Sequence, residues 1–160
     1  MAMSPTTKLL HTIALVCIAA VGVALVSQHV FNMHPCAWCV LQRLIYIVIA
    51  LACWVGVVVL RPGLGHRIAG GIALVLSLSG VMAAWYQYNV AAQMFSCAQT
   101  FADRFMVASG LDAGLPWLFG IYATCMDARV NLIGIEYALW SMGLFAVVAF
   151  LSALVLIRKR

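Results

Sequence analysis

The chain has 160 residues, of which 66% are hydrophobic and only 8% charged, and its formal net charge is +5. A soluble domain of this length is about half apolar and about a quarter charged, so this composition excludes an ordinary water-exposed surface. The sequence therefore indicates a single integral membrane domain, residues 1–160. It also argues against nucleic-acid binding, because an excess of Lys and Arg in a membrane chain normally sets orientation.

Four apolar stretches are each long enough to cross a bilayer as a helix, which takes about 20 residues. They cover approximately residues 9–28, 41–60, 68–88 and 137–157. We interpret the first as a retained span rather than a secretory signal, because its apolar run is longer than a usual signal core. The sequence thus predicts an all-α membrane protein, a four-transmembrane-helix bundle with loops at about 29–40 and 89–136.

Basic residues mark one side of this predicted bundle. Lys8 precedes the first stretch, Arg61 and Arg67 flank the turn between the second and third, and residues 158–160 are Arg-Lys-Arg. The positive-inside rule places all of these in the cytoplasm, together with both termini. The two long connections then face the outer side, which is the periplasm if the protein resides in a bacterial inner membrane.

The second outer loop contains many aromatic and aliphatic side chains. Residues 115–122 concentrate them around Trp117, Phe119 and Tyr122. We expect a short interfacial helix there, lying on the membrane surface. The alternative is that these side chains pack on the ends of the spanning helices.

The six cysteines divide into two groups by position. A thiol inside an apolar span behaves as a small buried hydrophobe. Thiols in an outer loop are candidates for redox chemistry, for structural disulfides or for a zinc site. A single Cys-x-x-Cys without a matching His pair fits tetrahedral zinc poorly, so we predict no metal site. The inner two are Cys17 and Cys53, and the outer four are Cys36, Cys39, Cys97 and Cys125.

The Cys-x-x-Cys pair stands at a predicted helix start, because Pro35 precedes Cys36 and apolar sequence follows Cys39. Unpaired N–H groups and the helix dipole favour a thiolate at such a place. Arg43 lies four residues after Cys39, on the same helix face. A cation so early in a helix opposes the dipole and loses hydration, so it needs a compensating partner.

Two interpretations of Arg43 remain open at this point. The side chain could extend to lipid phosphates at the bilayer surface. Alternatively, its guanidinium could hold an oxygen atom of an electron acceptor dissolved in the bilayer, next to a thiolate.

The segment Cys36–Arg43, which reads Cys-Ala-Trp-Cys-Val-Leu-Gln-Arg, resembles the signature of the disulfide bond formation protein B family. These are quinone-reducing, disulfide-generating proteins of the bacterial inner membrane. The resemblance extends over nearly the whole chain, including cysteines in both outer loops and a Leu132–Glu136 segment that leads into a last helix bearing Trp140. The chain departs from the family at Gln42, where many relatives have Glu, and at residues 85–88, which lack the His or Arg that some relatives show.

The resemblance implies a role for each site residue. Cys97 would be attacked by the reduced thioredoxin-fold disulfide oxidase of the periplasm, and Cys125 would exchange onward with Cys36. Cys39 would contact ubiquinone or menaquinone, and Arg43 would hold the quinone oxygen. The implied activity is that of a quinone-dependent, protein-disulfide-generating oxidoreductase.

Two alternatives compete with this interpretation. An enzyme of the vitamin K epoxide reductase type is also four-helical, but its active Cys-x-x-Cys is expected late in the chain rather than after the first span. A non-enzymatic membrane subunit, with disulfides that merely staple its loops, would leave Arg43 unexplained.

Overall fold

The computed structural model describes residues 4–59, 63–93 and 99–158. Within them, four helices are long and apolar enough to cross a membrane, with mean hydropathies of 1.9 to 2.6 over their most apolar windows. The predicted four-helix membrane bundle is confirmed. In chain order the elements are α1 (Pro5–His29), α2 (Ala37–Val58), α3 (Leu64–Asn89), α4 (Phe101–Ser109), α5 (Leu111–Gly114), α6 (Pro116–Phe119), β1 (Asn131–Leu132), β2 (Ile135–Glu136) and α7 (Tyr137–Ile157), with a short 3-10 turn at Ala91–Gln93.

Three of the long helices, α1, α2 and α3, each begin four residues before their predicted apolar stretches, and the first turn of α1 has a side-chain cap. The Ser4 hydroxyl accepts a hydrogen bond from the N–H of Thr7 at 3.1 Å, and Pro5 occupies the first helical position of α1. In α2 the helix begins directly after Cys36. Of the basic residues predicted to face the cytoplasm, three lie outside the described residues: Arg61, Lys159 and Arg160.

Helix α7 packs along α3 through a position where only a small residue fits. A Cβ atom on Gly80 would overlap the ring of Phe145, so the missing side chain lets the two helices approach closely. Phe145 is fully buried and stacks on Tyr46 of α2, with ring centroids 4.0 Å apart. The Tyr46 hydroxyl donates to the carbonyl of Ser141 at 3.2 Å. These contacts set the spacing between α2 and α7 around the cavity described below.

The loop before α7 contains the short helix α6 within residues 115–122, where a short interfacial helix is predicted. Phe119, at the end of the short helix α6, is buried in a cluster with Val40 of α2. The packing alternative therefore holds for this side chain. Leu115 and Trp117 are exposed, at 40% and 55% respectively, and their position on the membrane surface stays a prediction.

A two-residue hairpin leads into α7. Its strands pair Asn131 with Glu136 and Leu132 with Ile135, and its turn residues Ile133 and Gly134 have φ values of 56° and 81°. Positive φ at both turn positions is the type I′ pattern, which favours Asn-Gly. A β-branched residue such as Ile is strained in that conformation. The hairpin nevertheless positions Leu132, whose carbonyl accepts a hydrogen bond from the indole N–H of Trp140 in α7 at 3.2 Å.

Replacing Ile133 with Asn is expected to stabilise the protein by about 1 kcal/mol, because Asn adopts the left-handed conformation readily. The measurement is thermal unfolding in detergent, where the Tm of Ile133→Asn should exceed that of the unaltered protein. Ile133→Val keeps the β-branch and serves as the control without a gain. A lower Tm for Ile133→Asn would show that the side chain of Ile133, which is 88% exposed, contributes more than its backbone strain costs.

Candidate functional site

The Cys-x-x-Cys pair occupies the first turn of α2, as Pro35 and the apolar run predicted. Cys36 is the N-cap, with φ −88° and ψ 171°, and Cys39 lies three residues into the helix. Their Sγ atoms are 2.9 Å apart, and both cysteines are free thiols. Cys36 is completely buried and Cys39 is half-buried.

The second loop brings Cys125 against Cys36. Cys125 is partly buried and packs against the buried cluster that contains Cys36, close enough to contribute to the raised pKa of the Cys36 thiol. The carbonyl of Pro35 accepts hydrogen bonds from the N–H groups of Tyr122, at 3.0 Å, and Ala123, at 3.3 Å. These backbone bonds tie the segment carrying Cys125 to the residue that precedes Cys36.

The three sulfur atoms therefore have a definite order, in which Cys36 contacts both Cys39 and Cys125. Thiol–disulfide exchange requires one sulfur to attack another directly. Cys36 is the residue placed to exchange with either neighbour. Cys97, the fourth outer cysteine, lies outside the described residues.

The helix N-terminus predicted a thiolate for the pair, and for Cys36 this expectation is wrong. Burial raises the pKa of the Cys36 thiol well above its ordinary value, and the neighbouring thiols of Cys125 and Cys39 act in the same direction. Removing water from around a thiolate costs more here than the helix dipole returns. In the reduced protein Cys36 is therefore a protonated thiol at neutral pH.

Cys36 is accordingly expected to resist alkylation by iodoacetamide at pH 8, whereas Cys125 reacts. A thiol with a raised pKa gains reactivity only when the pH rises toward that higher value, because the thiolate is the nucleophile. Mass spectrometry of peptides from the reduced protein measures both residues in one sample. The unfolded protein in denaturant is the control, in which Cys36 and Cys125 should react alike. Equal labelling in the folded protein at pH 8 would contradict the burial of Cys36.

A cavity of about 430 Å³ lies among α1, α2 and α7, next to Cys39. Its volume is in the range of small-molecule sites, which are mostly apolar and contain a few polar groups. Cys39 and Arg43 both line it, as their spacing of four residues predicted. The remaining lining residues are Val16, Ala19, Ala20, Val23, Ala24, Gln42, Tyr46, Gln87, Leu132, Tyr137, Ala138, Trp140, Ser141 and Leu144.

Arg43 is buried inside the bundle, at 5% exposure, rather than extended along the lipid-facing surface. One terminal nitrogen donates to Gln28 Oε1 at 2.5 Å and to the carbonyl of Leu118 at 3.1 Å. The other donates to the carbonyl of Ala24 at 3.3 Å. These three oxygen atoms offset the loss of hydration. A guanidinium has five N–H donors, so two remain without an acceptor among the described residues.

Three buried glutamines also belong to the site, although no sequence motif predicts a role for them. Gln28 accepts from Arg43, Gln42 donates to Gln87 at 2.7 Å, and Gln87 donates to the sulfur of Cys39 at 3.2 Å. A signal for them was available, because each is an uncharged polar residue near the end of a spanning helix. Their shared location becomes visible only when the helices are packed together.

The two inner cysteines behave as predicted. Cys17 in α1 and Cys53 in α2 are completely buried in the main hydrophobic cluster of the bundle. Neither lines the cavity beside Cys39. They are consequently useful as control positions for substitutions at the reactive cysteines.

Comparison with known proteins agrees with this geometry. The family model for disulfide bond formation protein DsbB matches residues 6–155. The chain belongs to this family. Proteins named disulfide bond formation protein B are similar over almost their full length: the one from Herminiimonas arsenicoxydans is 30% identical, covering 99% of both chains, and that from Nitrosospira multiformis is 29% identical, covering 97% of this chain and 94% of the relative.

A third relative of the same name, from Polaromonas naphthalenivorans, is 30% identical and covers 95% of this chain and 91% of its own length. Membership of the DsbB family confirms the resemblance seen in Cys36–Arg43. It also favours a disulfide-forming oxidoreductase in a membrane over the vitamin K epoxide reductase type and over a stapled structural subunit.

Proposed function

We propose that the protein reoxidises a periplasmic thioredoxin-fold dithiol oxidase and passes the electrons to a membrane quinone. The observation that carries the proposal is the continuous contact from Cys125 through Cys36 to Cys39, which ends at a cavity also lined by Arg43. Electrons that enter at the loop can thus reach the cavity through sulfur atoms already in contact. The site sits at a helix end, where a bilayer-soluble acceptor can reach it laterally.

The proposed electron path begins at Cys97. A thiolate of the partner attacks the disulfide between Cys97 and Cys125, and the second partner thiol then resolves the mixed disulfide at Cys97. Cys125 is released as a thiol and attacks the disulfide between Cys36 and Cys39. Cys39 leaves as the thiolate that faces the cavity. The thiol of Cys97 then attacks Cys125 in the disulfide between Cys36 and Cys125, which re-forms the disulfide between Cys97 and Cys125 and releases Cys36. One pair of electrons and two protons have then moved inward, to Cys36 and Cys39, for each partner disulfide formed.

The cavity residues fit a quinone on two counts. The walls are mainly apolar side chains of α1 and α7, which suit a flat ring and an isoprenoid tail. The two remaining N–H donors of Arg43 suit a carbonyl oxygen, since a guanidinium binds oxygen through a planar fork. Arg43 would hold ubiquinone or menaquinone beside Cys39, and the bound quinone would supply an acceptor for two electrons and two protons.

The charge distribution supports a bacterial inner-membrane location with the cysteines in the periplasm. Lys8 near the start of α1, Arg67 near the start of α3 and Arg158 after α7 lie at the same end of the antiparallel bundle. Cys36 precedes α2 and therefore lies at the opposite end. The positive-inside rule assigns the basic end to the cytoplasm, along with both termini.

The test is quinone reduction by the purified full-length protein, supplied with a reduced thioredoxin-fold oxidase and either ubiquinone or menaquinone. The unaltered protein is expected to reduce the quinone, and Cys97→Ala or Cys125→Ala should block turnover while quinone still binds. Cys53→Ala is the matched control, because Cys53 is buried away from the relay. Normal partner oxidation in Cys125→Ala would refute the relay, and inactivity of the unaltered protein with both quinones would refute the proposed acceptor.

A further inference from the structure

Two glutamines from neighbouring helices meet at the sulfur of Cys39. Gln42 belongs to α2 and Gln87 to α3, and they are 4% and 7% exposed. The amide nitrogen of Gln42 donates to the amide oxygen of Gln87 at 2.7 Å. The amide nitrogen of Gln87 donates to Cys39 Sγ at 3.2 Å. The two side chains therefore form a chain of hydrogen bonds that ends on the sulfur.

The direction of this chain is linked to the protonation state of Cys39. A glutamine amide has an oxygen at one corner and an NH₂ group at the other. While Gln42 donates to the oxygen of Gln87, the NH₂ group of Gln87 must face Cys39, and the sulfur acts as acceptor. In the reverse orientation the oxygen of Gln87 would face Cys39, and the sulfur would have to donate its own proton. The observed orientation is therefore the one that suits a thiolate.

Different side chains bind the oxygen atoms of the site and the sulfur of Cys39. The three hydrogen bonds that Arg43 donates go to oxygen atoms of Gln28, Leu118 and Ala24, and none of them goes to a sulfur atom. Among the described side chains outside the Cys-x-x-Cys pair, Gln87 is the one that donates a hydrogen bond to Cys39 Sγ. A hydrogen bond to an ionised acceptor is stronger than one to a neutral acceptor, and burial strengthens it further.

We infer that Gln87 stabilises the reactive thiolate of Cys39, and that Gln42 is a positioning residue that keeps the Gln87 amide turned toward it. This inference deepens the proposed function and rests on Cys39 being the cysteine that meets the quinone. It assigns to two uncharged side chains a part of the chemistry that would otherwise fall to Arg43 alone.

The test measures alkylation of Cys39 by iodoacetamide, read by peptide mass spectrometry, in full-length protein carrying Cys36→Ser and free of quinone. At pH 7 the rate for Gln87→Leu is expected to fall about tenfold, because one hydrogen bond to a charged acceptor is lost. At high pH, where every thiol is ionised, its rate should equal that of the parent. The titratable groups facing Cys39, namely His34, Arg43 and Tyr137, are retained in all variants.

Gln42→Leu tests the positioning role separately. The Gln87 amide is then free to turn, so the rate at pH 7 should fall by a smaller factor, about threefold, again with an unchanged rate at high pH. Gln93→Leu is the matched control, since Gln93 is an exposed glutamine just beyond α3, and its profile should be that of the parent.

Two results would overturn the inference. One is an unchanged rate at pH 7 in Gln87→Leu. The other is an equal loss of rate at pH 7 and at high pH in that variant, since altered access rather than a lost hydrogen bond would explain it. Because neither quinone nor partner is present, these outcomes are independent of the quinone-reduction assay. Protein that alkylates as expected yet reduces no quinone would overturn the proposed function and leave the hydrogen-bond chain in place.

Discussion

Replacing Cys39 with Ala is expected to reduce quinone-linked turnover to the rate measured without protein. In the proposed path Cys39 forms a covalent bond in every cycle, and no other sulfur among the described residues lines the cavity. The loss should appear in kcat, since a missing nucleophile cannot be compensated by more quinone. The measurement is the initial rate of quinone reduction at saturating partner and quinone.

Cys53→Ala, in the same helix, is the control for this experiment. It removes a thiol from the hydrophobic core, so it should lower thermal stability somewhat but leave kcat near that of the unaltered protein. Both variants should retain the helical content of the four-helix bundle. Appreciable quinone reduction by Cys39→Ala would mean that another thiol reaches the quinone, and the proposed order of the sulfurs would be wrong.

Arg43→Gln is expected to raise the KM for quinone by a factor of about 10 to 100, with a smaller effect on kcat. The variant loses charged donors to the quinone oxygen, and hydrogen bonds of that kind contribute about 1.5–3 kcal/mol each. Interactions made equally in the bound and transition states appear mainly in KM. The KM of Arg43→Lys for quinone should lie between those of the unaltered protein and Arg43→Gln, since Lys retains the charge without the planar fork of donors.

The structure adds a second role for Arg43 that this experiment has to separate. Its bonds to Gln28, Ala24 and Leu118 join α1 and α6 to α2, so any substitution of Arg43 also loosens these elements. Gln28→Leu removes one acceptor while keeping the guanidinium, and should change the KM far less than Arg43→Gln. Equal KM values for Arg43→Gln and the unaltered protein would place the quinone elsewhere.

Much of the site could be predicted because its signals are local in the sequence. Pro35 followed by an apolar run placed Cys36 and Cys39 at the start of a helix, and the spacing of four residues brought Arg43 to the same cavity as Cys39. Both inferences need only the geometry of one helix. The bundle itself follows from the length and hydropathy of four segments.

The remaining features depend on packing between distant segments. The burial of Cys36 comes from the second loop, which covers it with Cys125, and this outweighs the helix dipole that the local pattern emphasised. Gln87 reaches Cys39 from α3, 48 residues away along the chain. At Ile133 the backbone adopts a conformation that its residue type disfavours, because the hairpin leading into α7 requires it.

The two hydrogen bonds accepted by the carbonyl of Pro35 have a consequence for competition between thiols. They hold the Cys125 segment beside Cys36, so that exchange between these sulfurs is intramolecular and its effective molarity far exceeds the concentration of any dissolved thiol. Cys36 is also 0% exposed, which denies a soluble competitor direct access. Glutathione or a similar small thiol at millimolar concentration should therefore intercept the disulfide exchange between Cys125 and Cys36 only rarely. Oxidising equivalents made in the membrane should then leave the protein through the cysteines of its second loop.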